Sequence, residues 1–439
     1  MKLDFRGRNM DVATYPFRFM RILGIAGTGG CEINECFLTL EKIREHDEQS
    51  WIREWIALAE KTERLADESM EAGQRVTARQ AYLRACAYLQ VAMFSLSPKD
   101  SRLFEYLTHS RELFHRVAAM LQPAIEILEI PFGAAKLPAY FLSCGKPKAP
   151  TLLVVNGGDS TNEEMVHFIG FSAVSRGWNC LIFEGPGQWS ALQLNPGLVM
   201  TVEYEKPVGA VVDYLLSRED VDPEKIALYG LSLSSQLGAR AVAYEKRVCA
   251  CVLNGGPVVD VNKAWEAVRP PWVKKTIPGV WDFLFGLLMK MNSQFAGLVN
   301  HFEWSLGVSS LRGVLDGFSP YNIRGLAPMI KCPVLVLEGE GEYAQTDKAT
   351  GMLALEFISE IQGPITIHEF KIDSDGWGAS HCGIGGTETA NIIIFKWLDE
   401  VVLQGKRWEQ NGLDPELVKK YFNGKDLDRI LGNLKCSTI

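Results

Sequence analysis

No stretch of this 439-residue chain approaches the roughly 18 uninterrupted apolar residues of a membrane-spanning helix. The longest apolar run, Phe283 to Met289, is stopped by Lys290, so no membrane partner is expected. Cysteine is present ten times but never as C-x-x-C, and Cys180, Cys249 and Cys251 sit inside apolar segments. Buried, reduced thiols explain them better than disulfides or a redox pair. The seven histidines show no ligand spacing with one another or with cysteine, so no metal and no cofactor is expected. Also lacking is any Lys/Arg stripe with interleaved aromatics, and the formal charge is −8, which argues against a nucleic-acid partner. The first residues, Met1-Lys2-Leu3-Asp4, open no apolar leader, and a cytoplasmic protein is the expectation.

What is present changes character along the chain. Trp51 to Met70, Thr77 to Phe94 and Ser101 to Leu121 carry apolar residues at helical spacing with abundant Ala, Glu and Arg. No strand-like alternation interrupts them, and an irregular, Gly-rich stretch lies before them around Gly24 to Gly30. From about residue 124 the pattern becomes short and β-branched. A strand pair at Ile125 to Pro131 and Leu137 to Ser143 is followed by apolar runs beginning at Thr151, Asn179, Lys225, Ala250, Pro333 and Pro364. Helical segments separate most of these runs, as in a parallel sheet covered on both faces. Two antiparallel strands and six alternating units are the count of an α/β-hydrolase sheet.

The predicted organisation is a helical region over residues 1–122, an α/β core over 123–405 and a helical tail over 406–439. About 80 residues separate Asn254 from Pro333, too many for a structureless loop in a compact domain. That segment is rich in aromatics, and a helical cap over about 257–325 is expected there. Trp265 and Trp272 are candidates for lining an apolar pocket, although most of the aromatics would simply pack cap on core.

Lys225-Ile226-Ala227-Leu228-Tyr229-Gly230-Leu231-Ser232 ends a strand, and a small-residue helical segment follows. This is the outline of a nucleophile elbow, which lifts a serine hydroxyl clear of the sheet beside a helix N-terminus. The usual G-x-S-x-G is here Gly230-Leu231-Ser232-Leu233-Ser234, with serine at the last position. A nucleophilic serine needs a base and an acid, in this fold in the chain order nucleophile, acid, histidine. The acid is expected just after the strand at Pro333 to Leu337, where Glu342 is the first candidate and Asp347 and Glu340 are alternatives. His381 lies in a Gly-rich loop between the last strand and the last helix. Backbone N–H groups of Leu233 and of the Gly158–Asp159 turn would form the oxyanion hole. Asp260, Glu266 and Tyr204 are considered as pocket acids that could protonate a leaving group.

Four segments carry a family resemblance: Asn156-Gly157-Gly158-Asp159-Ser160-Thr161-Asn162-Glu163-Glu164, Phe183-Glu184-Gly185-Pro186-Gly187-Gln188, Gly230 to Ser234, and Ala379-Ser380-His381-Cys382. With the helical region in front, they resemble the α/β-hydrolases that include bacterial 2,6-dihydroxypseudooxynicotine hydrolase and fungal hydrolases of polyketide pathways. The resemblance implies a Ser232–His381–Glu342 triad and hydrolysis of a C–C bond beside a carbonyl, or of an ester. It also implies a small-molecule substrate, a homodimer, and a pocket between the helical region and the core. Acyl transfer or cyclisation on the same triad is the alternative outcome, and a binding protein without turnover is a third. Ser234 in place of glycine, and glutamate where the acid is usually aspartate, are the two departures.

Overall fold

The computed structural model describes residues 15–45, 47–267, 293–340 and 348–406, together with Lys419 and residues 428–430. Its centre is an eight-stranded sheet: β1 (Glu126–Phe132), β2 (Ala135–Leu142), β3 (Ala149–Val155), β4 (Asn179–Phe183), β5 (Val221–Leu231), β6 (Ala250–Asn254), β7 (Val334–Gly339) and β8 (Ile365–Phe370). The spatial order is β1-β2-β4-β3-β5-β6-β7-β8. β1 and β2 form an antiparallel hairpin, β2 pairs antiparallel with β4, and every later pairing is parallel.

The strands bury both faces by simple alternation. Leu152, Val154, Cys180 and Ile182 face one core, while Leu153, Val155, Leu181 and Phe183 face the other. The first core also takes the helices Tyr15–Leu23, Ile33–Lys42, Glu48–Glu71, Arg75–Met93 and Arg102–Ala118. Asp47 starts the helix Glu48–Glu71 by accepting the Ser50 amide at 2.9 Å. Trp51, Trp55 and Tyr88 pack with tilted rings at its contact with the helix Arg75–Met93, and all three are fully buried. Each contributes about 1.5–3 kcal/mol of apolar burial. Between the two helices Gly73 turns the chain at φ +73°, a left-handed conformation that glycine adopts without strain. Phe114 stacks on Tyr140 of β2 at 4.9 Å and so fastens the helical layer to the sheet.

The connection from β6 to β7 contains the helices Val261–Ala267, Ser293–Leu306 and Leu311–Phe318, and an Asp260–Asn322 bridge closes its base. Among the described residues no helix is long and apolar enough to cross a membrane. The nine cysteines among them are free thiols.

One consequence of the topology positions the site. The chain steps from β3 outward to β4 and then returns to the other side as β5. The C-terminal ends of β3 and β5 therefore lie side by side, with Val155 paired to Gly230, at the point where the strand order reverses.

Candidate active site

Ser232 sits between β5 and the helix Leu233–Tyr244 with φ +57° and ψ −122°. A non-glycine residue held there stores about 1–3 kcal/mol of strain. The surroundings impose it. A Cβ on Gly230 would lie 2.1 Å from the Ser234 carbonyl oxygen, so the turn closes only over glycine. The Ser232 amide donates to the Asn254 carbonyl at 2.8 Å, tying the elbow to the end of β6. His381 comes from the loop after β8, and its Nε2 lies 2.8 Å from Ser232 Oγ. That loop is anchored by Asn254, whose amide donates to the Cys382 carbonyl at 3.1 Å and to the Tyr229 hydroxyl at 2.8 Å. Of the three acid candidates, Glu342 and Asp347 lie outside the described residues. Glu340 accepts the Ile372 amide at 2.9 Å and so is engaged by the segment after β8.

The turn after β3 is held by its carbonyl groups. Asn156 O accepts from the Ser234 hydroxyl and, at 2.6 Å, from Gln188 Nε2. Gly157 O takes the same Gln188 amide at 3.0 Å, and Gly158 O accepts from His301 Nε2 at 2.8 Å. In a trans peptide the N–H points opposite to the C=O, so these bonds fix the directions of the Gly158 and Asp159 amides. Among the described residues neither amide donates to a backbone carbonyl. The Leu233 amide belongs to the first turn of its helix and has no intrahelical acceptor. Gly158 and Leu233 are in contact range, since a Cβ on Gly158 would lie 3.3 Å from Leu233 Cδ2.

Gly158, Asp159, Ser232, Leu233 and His381 all line one pocket. Its walls come from the helix Tyr15–Leu23, the helix Arg75–Met93 and the helix Ser293–Leu306. An ion cluster crosses from the first of these to the turn after β3, with Arg21 and Glu164 largely buried and Asp159 half-exposed at the pocket. Arg21 grips Glu164 through Nε at 2.5 Å and Nη2 at 2.6 Å, and reaches Asp159 Oδ2 through Nη1 at 2.8 Å. Burial opposes the Arg21 charge, but the two carboxylates outweigh it and hold the guanidinium protonated. Burial likewise works against the Asp159 carboxylate, yet Arg21 keeps its pKa below the ordinary value. At Glu164 burial wins and the pKa is raised. Burial lowers the pKa of His301, which keeps the imidazole neutral with its Nε2 proton on Gly158 O.

No protein-family model matches the chain. The hydrolyase poxO of Penicillium oxalicum is 31% identical over 346 residues, covering 73% of this chain and 82% of that one. The alpha/beta hydrolase psoB of Aspergillus fumigatus is 29% identical over 422 residues, covering 88% of this chain and 92% of its own. The chain belongs to the α/β-hydrolase family. Another relative of this α/β-hydrolase is the 20-hydroxy-prefusarin hydrolase FUS2 of Gibberella moniliformis, 29% identical over 405 residues, covering 88% of this chain and 96% of that one. Among solved structures, 2,6-dihydroxy-pseudo-oxynicotine hydrolase shares the fold with a TM-score of 0.68 at 20% identity, over 88% of this chain and 97% of that one.

The α/β-hydrolase brings Ser232, His381, Leu233, Gly158 and Asp159 to one pocket. Tyr204 is a correction. It is fully buried away from the pocket, and its hydroxyl donates to Gln188 Oε1 at 3.1 Å, behind the turn after β3. It does not face a ligand because the Gly185 turn covers it: a Cβ on Gly185 would meet its hydroxyl at 2.2 Å. Asp260 is also engaged elsewhere, accepting the Lys263 amide at 3.0 Å and pairing with Arg324 at 3.3 Å. Trp265 and Glu266 belong to the helix Val261–Ala267, but their side chains, like all of Trp272, lie outside the described residues. Sequence reasoning missed Arg21 and His301. Both reach the pocket from segments far along the chain, and neither belongs to a recognisable motif.

Proposed function

We propose that this α/β-hydrolase is a serine-dependent enzyme that cleaves a C–C bond beside a carbonyl, or an ester, in a polyketide-derived small molecule. The 2.8 Å contact between His381 Nε2 and Ser232 Oγ carries the reading, because it joins a strained, pocket-facing serine to a base. In this mechanism His381 takes the Ser232 proton as Oγ adds to the substrate carbonyl carbon. The Leu233 amide and the Gly158 or Asp159 amide receive the developing oxyanion. Glu342, which follows β7 in the sequence, orients the imidazolium, with Asp347 as its alternative. Collapse expels an alkoxide, or an enolate in C–C cleavage, which leaves with the proton held by His381. Water, deprotonated by His381, then frees the acyl group from Ser232.

The substrate class is supported by the largely apolar pocket and by relatives of nearly full length that include a 20-hydroxy-prefusarin hydrolase. A serine-directed fluorophosphonate probe tests the nucleophile: labelling is expected in the wild type and lost in Ser232→Ala. Labelling that persists in Ser232→Ala while disappearing in Ser235→Ala refutes the assignment. Turnover in 18O-water distinguishes hydrolysis, which places the heavy oxygen in the acid product, from acyl transfer to an internal nucleophile, which does not.

A further inference from the structure

The cavity above Ser232 is walled largely by apolar side chains, among them Phe17, Ile22, Phe94, Leu298 and Phe302. One carboxylate is open to it. Asp159 is part of the cavity wall, and 49% of its side-chain surface is accessible. Its Oδ2 is taken by Arg21 Nη1 at 2.8 Å, while among the described residues Oδ1 receives no hydrogen bond. The neighbouring cations are already committed to protein acceptors. Arg21 binds Glu164 through two nitrogens and lies 4.5 Å above the Phe94 ring, and Arg18 binds Glu48 and Ser95. An anionic ligand group would meet the Asp159 charge with both arginines already engaged. A hydrogen-bond donor would meet an oriented, charged acceptor, and such a charge-assisted bond is stronger than a neutral one.

We propose that Asp159 is a specificity-determining residue whose carboxylate accepts a hydrogen bond from a hydroxyl or amide N–H on the acyl part of the substrate. This rests on the serine-hydrolase reading above. The amide and the carboxylate of one aspartate lie within about 5 Å of each other by covalent geometry. With the carbonyl oxygen at the amide and the donor at Oδ1, the donor lies roughly three to six bonds from the carbonyl under attack. Arg21 orients the acceptor and holds it ionised, so the helix Tyr15–Leu23 contributes to selectivity without touching the reacting atoms.

The test compares matched 4-nitrophenyl esters. 4-Nitrophenyl 4-acetamidobutanoate offers an N–H four bonds from the carbonyl carbon, and its N-methyl counterpart has none. The wild type is expected to favour the N–H ester by about tenfold or more in kcat/KM, the range of a hydrogen bond to a charged group. In Asp159→Ala and in the equally sized Asp159→Asn the preference should fall to near unity, with Ser232 still labelled by a fluorophosphonate. A further pair separates charge from donation: a 4-(dimethylammonio)butanoate ester keeps an N–H, and the trimethylammonio ester does not. Equal rates for that pair, or a wild-type N–H preference below about twofold with Ser232 still labelled, overturn the subsite and leave the hydrolase reading standing. A preference that survives both Asp159 variants overturns it as well. No labelling and no turnover of any ester overturn the serine-hydrolase reading, and the subsite falls with it.

Discussion

Replacing Ser234 by alanine removes one hydroxyl from a fully buried position and asks whether this departure from the usual elbow is structural or functional. The hydroxyl donates to the Asn156 carbonyl, at the base of the turn that carries Gly158 and Asp159. That carbonyl also accepts from Gln188 Nε2 at 2.6 Å, so the variant leaves no orphaned acceptor. The loss is then one neutral hydrogen bond, about 0.5–1.5 kcal/mol. If it falls wholly on the transition state, by letting the turn relax away from the oxyanion, kcat/KM drops about 2- to 13-fold with KM little changed. Ser234→Gly should show the same kinetic loss, with an added backbone-entropy penalty of about 0.5–1 kcal/mol that affects stability alone. Steady-state hydrolysis of a nitrophenyl ester and thermal unfolding, measured side by side, separate the two effects. An unchanged kcat with a lowered melting temperature refutes the positioning argument. A loss beyond about 100-fold refutes it in the other direction, since one neutral bond cannot supply that much.

Gly230→Ala brings a Cβ within 2.1 Å of the Ser234 carbonyl oxygen and should displace the elbow, reducing turnover by 100-fold or more, on the order expected for a 1 Å misplacement; a soluble variant with half the wild-type rate refutes this. His301→Phe keeps the aromatic contact with Trp189, whose ring centroid lies 4.6 Å away, but leaves the Gly158 carbonyl without its imidazole donor. A stability loss of about 1–3 kcal/mol in urea unfolding, accompanied by a fall in kcat, is expected, and loss of stability without any change in kcat would sink the oxyanion-turn argument. Burial holds the His167 pKa down at about 4, so its neutral form stabilises the fold above the unfolded-state value near 6.5. That stability is lost as pH falls from about 6.5 through about 4, by up to about 3 kcal/mol. The difference in urea midpoint between the wild type and His167→Gln should therefore shrink on acidification over this window, and a difference that grows contradicts the assignment.

The strands were legible because β3 to β8 are short, β-branched and apolar on both faces, a pattern no surface helix shares. The elbow was legible for a related reason: glycine two residues before a serine, at the junction of such a strand with a small-residue helix, is a local requirement of backbone geometry. His381 was singled out by position alone, as the histidine between β8 and the helix Thr387–Leu398. Arg21 and His301 could not. They act through long-range contacts, Arg21 to Asp159 and Glu164 and His301 to the Gly158 carbonyl, and no local periodicity encodes a partner more than a hundred residues away. Tyr204 misled for the opposite reason. An aromatic hydroxyl near a helix start suits a pocket as well as a core, and only the packing of the Gly185 turn over it decides between them.

The helix Tyr15–Leu23 and the helix Ser293–Leu306 furnish much of the cavity wall, whereas Ser232 and His381 stand at the turns that follow the C-terminal ends of β5 and β8. Selectivity is thus written largely on these helices, and it meets reactivity at the turn after β3, where His301 holds the Gly158 carbonyl and Arg21 holds Asp159. Substitutions at wall positions of the two helices other than Arg21 and His301 can retune which molecules are admitted while leaving Ser232 and His381 in place. The division of the wall into holding and lining positions leaves the lining ones open to change. For the protein engineer it marks positions such as Phe17, Ile22, Leu298 and Phe302 as the ones to randomise first.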